Sequence, residues 1–70
     1  MENEMTQAHH VPPLALGIED AARSIGVARS AIYEIVARGE LPSFKIGRRR
    51  MILTKELEAY INRVAKENSR

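Results

Sequence analysis

The chain has 70 residues, 44% of them hydrophobic and 29% charged, and no cysteine. That length holds one small domain and excludes two, while the lack of cysteine removes disulfides and thiolate metal sites as sources of stability, so packing must hold the fold. The formal net charge is +2 but is unevenly placed: Met1 to Asp20 carries four acids and no Lys or Arg, whereas Arg29 to Arg50 carries six bases against Glu34 and Glu40. This asymmetry points to a polyanionic partner more than to an acidic small substrate. No apolar run approaches membrane-spanning length and the start lacks the order of a signal peptide. The expectation is a cytoplasmic protein with no membrane contact.

Residues 1–13 are polar, lack apolar periodicity and end in Pro12 and Pro13, which predicts a disordered lead-in. His9 and His10 lie in it, and with no further His or Cys in the chain they read as solvated tail residues, so no metal site is expected. Leu14 to Leu16 reads as a short strand or extended lead. Helix 1 is predicted from about Ile18 to Ile25, because Ile18, Ala21, Ala22 and Ile25 stand at i, i+3, i+4 and i+7. Glu19 and Asp20 suit the positive end of its dipole. Gly26 is the expected left-handed terminator, with Val27 turned back into the core. Two helices joined by such a short Gly-containing turn form a helix-turn-helix pattern.

Helix 2 is predicted over Ala28 to Gly39. At about 100° per residue, Ala28, Ile35 and Val36 fall within roughly 60° of Ile32 and make a narrow stripe expected to be buried. The far side collects Ser30, Glu34 and Ala37, flanked by Arg29 and Tyr33 on one edge and Arg38 on the other. Small or hydrogen-bonding groups between cations suit a helix in a DNA major groove, with the middle meeting base edges and the flanks meeting phosphates. From this helix alone, an ordinary surface helix with a solvated face fits as well.

Beyond Gly39, Leu41 is expected to anchor to the core. Phe44, Ile46 and Ile52 alternate with polar residues at strand spacing around Gly47 and Arg48, Arg49 and Arg50, which reads as a β-hairpin with a basic tip. The arginines fit either a solvated loop or a wing that reaches phosphates or a minor groove. The helical period returns with Leu57, Tyr60, Ile61 and Val64, after Thr54 as the expected N-cap. Tyr60 reads as a core-edge residue, with stacking on a ligand as the alternative. The predicted fold is therefore mainly α with a small β-hairpin: a winged helix-turn-helix of three helices plus wing over residues 14–66, with a frayed end at 67–70.

The block IEDAARSIGVARSAIYEIVARGELPSFKIGRR, followed by ILTKELEAYI, resembles the excisionase-type DNA-binding domain, a small winged helix related to MerR-like regulators. The resemblance spans about Leu14 to Val64. It implies binding of double-stranded DNA through helix 2 and the wing, often as a recombination directionality factor working with an integrase, or as a small transcriptional regulator. By position, it assigns the helix contacts to Arg29, Ser30, Tyr33 and Glu34, beside Arg38 from the helix pattern, and the wing contacts to Lys45, Arg48 and Arg49, beside Arg50. Gly17 and Ala28 stand where the family commonly has a capping Ser or Thr, Glu34 where a base is frequent, Arg50 for a wing aromatic and Leu53 for a Pro. Cooperative association of copies on DNA is expected, since one small domain makes few phosphate contacts. A protein-interaction module with a basic face is the alternative from another class. An enzyme is not expected, because the chain has no Cys nucleophile, its histidines lie in the lead-in, and its acids form no recognisable pair; no cofactor is expected either.

Overall fold

The computed structural model describes residues 13–69, so most of the expected lead-in, with His9 and His10, lies outside the described residues. The elements run β1 (Ala15–Gly17), α1 (Ile18–Ile25), α2 (Arg29–Ala37), β2 (Phe44–Ile46), β3 (Arg49–Leu53) and α3 (Thr54–Glu67). The sheet is antiparallel with β3 in the middle, β1 on one edge and β2 on the other. The Leu14 to Leu16 segment is thus a strand, pairing Leu16 with Ile52 and Gly17 with Met51. Three helices and a β2–β3 wing make the winged helix-turn-helix.

The sequence periodicities explain the core. Ile18, Ala21 and Ala22 of α1 and Ile32 and Ile35 of α2 are buried together with Leu41, Ile52, Leu57 and Tyr60. Ala21 and Ala22 leave the space in which α2 crosses close to α1, and Ile25, Val36, Ile61 and Val64 cover the margins half-buried. Ile32, Leu41 and Ile52 are the largest side chains removed fully from solvent. One from α2, one from the loop after it and one from the central strand, they join the helix-turn-helix to the wing.

The turn between α1 and α2 closes through backbone bonds. Val27 N–H donates to the Ala22 carbonyl at 3.0 Å and Gly26 N–H to that of Arg23 at 3.2 Å, the paired bonds of a Schellman motif. Gly26 takes φ 77°, a conformation that costs a residue with a Cβ about 1 to 2 kcal/mol. The same pair of bonds ends α2, from Glu40 to Ile35 at 3.1 Å and from Gly39 to Val36 at 2.9 Å.

Three expectations need correction. Val27 is exposed, because the motif uses its backbone and leaves the side chain at the rim of the turn. Ala28 is exposed too: it is the N-cap, with extended backbone at φ −73° and ψ 154°, so the helical angle count does not reach it. Thr54 does not cap α3, since Leu53 occupies the N-cap and Thr54 is already helical. Its hydroxyl instead donates to the Pro13 carbonyl at 2.6 Å and its N–H to that of Leu14 at 2.9 Å, fastening the first strand to the start of α3. At the other end α3 extends to Glu67, where Asn68 returns a side-chain bond to the Val64 carbonyl at 3.0 Å.

Among the described residues no helix carries a side-chain cap, the N-cap residues being Gly17, Ala28 and Leu53. The first two are the positions where the family resemblance expects Ser or Thr. Because Ala28 is exposed and already has the extended backbone of a capping residue, Ala28→Ser is expected to stabilise the domain by about 0.5 to 2 kcal/mol. A higher urea midpoint at unchanged slope is the readout.

Candidate nucleic-acid interface

Burying Ile32 and Ile35 fixes which side of α2 faces outward. Ser30, Tyr33, Glu34 and Ala37 form a diamond on that side at spacings of three and four residues, and all four are exposed. Arg29, in the first turn, sits at its N-terminal corner. The diamond offers one hydroxyl, one phenol, one carboxylate and one methyl group. It is a surface of hydrogen-bonding groups on a rigid element, free of bulky aliphatic side chains.

The wing brings a second set of groups alongside. The chain turns through Gly47 and Arg48, so only Arg48 of the three arginines stands at the hairpin tip. Arg49 and Arg50 are adjacent on β3 and therefore leave opposite faces of the strand. Arg50 shares its face with buried Ile52 and is half-buried, its guanidinium donating to Ser43 Oγ at 2.8 Å. Arg49 lies on the other face, its guanidinium against the backbone of Gly17. That close approach gives Gly17 its role, because a Cβ there would collide with the guanidinium. Gly17→Ala should cost little stability, since only the end of a flexible side chain must move. It should still displace Arg49, and the readout is a changed Arg49 Nε–H NMR signal at nearly unchanged melting temperature.

Arg29, Tyr33, Arg48, Arg49 and Arg50 line, with Ile18 and Glu19, one shallow concavity between α2, the start of α1 and the wing, although the Arg50 guanidinium itself turns to Ser43 on the opposite face of β3 from Arg49. Three of the four arginines thus lie around one carboxylate, that of Glu19. None of the four forms an ion pair with a described residue. Like charges gathered on one surface repel one another unless an anion lies between them.

The other sequence-predicted residues stand apart from this basin. Ser30 and Glu34 lie on the α2 diamond beside it, and Lys45 is exposed on β2 opposite Arg50. Arg38 caps the far end of α2 and is held by Glu40 through contacts of 3.2 and 3.3 Å. That hydrogen bond, more than the accompanying charge attraction, raises the Arg38 guanidinium above its ordinary pKa and holds the Glu40 carboxyl below its own. Arg63 of α3 donates to the Glu40 carbonyl at 3.3 Å and lies 5.4 Å from the centroid of the buried Tyr60 ring. Tyr60 is therefore a core residue roofed by a cation. Sequence reasoning missed Ser43 and Arg63, whose partners lie 7 and 23 residues away. Only Glu19 carried a legible signal, its place in the first turn of α1.

Among the described residues, no group of three or more His, Cys, Asp or Glu side chains is arranged to hold a metal ion, and no helix is long and apolar enough to cross a membrane. A family described as a helix-turn-helix domain matches residues 15–65. The chain is also 37% identical over 54 residues to a protein of Saccharopolyspora erythraea named "Probable excisionase", which covers 77% of this chain and 55% of that relative. It thus spans about half the length of the relative it matches. No solved structure matches the chain. With the family match covering the whole wing and helix-turn-helix, the chain belongs to the excisionase-type helix-turn-helix DNA-binding domains.

Proposed function

We propose that this excisionase-like DNA-binding protein is a recombination directionality factor: it binds specific double-stranded DNA, bends it, and promotes excision of an integrated element together with a partner integrase. The observation that carries the reading is the arginine basin between α2 and the wing, next to an exposed helix face built of hydrogen-bonding groups. In this reading α2 lies in the major groove, where Ser30 and Glu34 meet base edges while Arg29 and Tyr33 hold one phosphate rail. Arg38 approaches the opposite rail. Lys45, Arg48, Arg49 and Arg50 carry the wing along the backbone and into the adjacent minor groove. Likeness to a relative named for excision supports the biological role.

Several copies fill such a site side by side, because the few phosphate contacts of one domain give an affinity that falls steeply with salt. The place of action is the cytoplasm, on the nucleoid. No catalytic step is assigned to the chain; it shapes DNA on which the integrase acts. A titrated DNase footprint across the flanks of its own gene and any nearby attachment site tests this. The expected result is several protected blocks in one orientation, filling cooperatively, with hypersensitive bends between them. A single block over a promoter would make the protein a transcriptional regulator, and no protection at low salt would leave a protein-interaction module.

A further inference from the structure

The outward face of α2 carries one charge of the wrong sign for a polyanion. Glu34 is an exposed corner of the diamond, and neither Arg38 nor Arg29, the cations of the helix, is paired with it. Arg38, four residues on, is the side chain that ordinarily neutralises a helical glutamate. It is held instead by Glu40 at 3.2 and 3.3 Å. Arg29 turns into the basin with the wing arginines. Glu34 has no ion pair with a described residue, and Arg38 feels its charge only as the least of its influences, so the carboxylate faces outward with no cation bonded to it.

Such a carboxylate is an acceptor only. Brought into a groove between phosphate rails it is repelled, and this cost is offset only where a base presents a donor. The major-groove donors are the amino groups of cytosine and adenine. Beside the adenine amino group lies N7, whose lone pair repels a carboxylate oxygen, whereas beside the cytosine amino group lies only a carbon-bound hydrogen. Ala37, one turn on, is too small to block the approach.

Resting on the DNA-binding reading above, we propose that Glu34 is a specificity-determining residue that accepts a hydrogen bond from a cytosine amino group and penalises every other base at that position. The carboxylate acts by discrimination and lowers affinity for DNA in general. Glutamine in its place keeps the shape, removes the charge and presents the donor and acceptor that match adenine.

The test is binding-site selection from a pool of random duplexes, followed by anisotropy titration of single-position variants with the wild type, Glu34→Gln and Glu34→Ala. Melting curves first check that both variants are folded, as an exposed position should allow. The expected result is a wild-type motif with one fixed cytosine whose replacement weakens binding about tenfold. Glu34→Gln shifts that position to adenine, Glu34→Ala accepts any base there, and both bind unrelated DNA more tightly than the wild type. A wild type that selects a motif unchanged in both variants would overturn the proposal and leave the DNA-binding reading standing. A wild type that binds no duplex at low salt would overturn both.

Discussion

Replacing Arg48 and Arg49 together by alanine should weaken binding to every DNA sequence by at least about tenfold and reduce the slope of log affinity against log salt by roughly 2. The two side chains reach the basin from different places, Arg48 from the hairpin turn and Arg49 from β3. Neither forms an ion pair with a described residue, so the substitution removes charge without stranding a partner. Because phosphate contacts carry no base information, the bases preferred under α2 should stay the same while affinity falls. Anisotropy titrations at four or five salt concentrations, on a selected site and a scrambled one, supply both numbers. An unchanged slope would remove the wing from the DNA interface.

Truncating Ile32 to alanine should abolish binding by another route. Its side chain is fully buried on the inner side of α2, in the cluster that also holds Ala21, Ala22, Leu41 and Ile52. Losing those methyl groups from a packed core costs about 2 to 5 kcal/mol. A domain of this size draws only about 3 to 5 kcal/mol from its core, so the variant should be largely unfolded at 37 °C. Circular dichroism and a urea melt read this directly. A variant that melts with the wild type would show that α2 is not held by this cluster.

The contrast between these substitutions explains how much the sequence could convey. Helical period is a local signal, so the buried faces of α1, α2 and α3 were legible from Ile18, Ala21, Ala22, Ile32, Ile35, Leu57 and Tyr60. The wing was legible from strand alternation around Gly47. Errors fell where an element ends and its period stops applying: at Val27 in the turn, at Ala28 in the cap and at Thr54 on the β3–α3 junction. The resemblance marked Arg48 and Arg49 as wing residues. Neither it nor periodicity conveyed that Arg49 packs on Gly17 or that Arg50 turns to Ser43. Those arrangements depend on register in a three-stranded sheet, which joins residues far apart in the chain. The engagement of Arg38 by Glu40 was equally hidden, because the chain reversal after Gly39 creates it.

In the proposed complex DNA is gripped by the outward face of α2 and the arginine basin beside it. An NMR titration of the labelled protein with a selected duplex tests it most directly. Shifts concentrated at Arg29 to Arg38 and at Lys45 to Arg50, with the exposed side of α3 little changed, are the expected result. Shifts concentrated along α3, with the basin arginines unmoved, would contradict the account and put the DNA on another face.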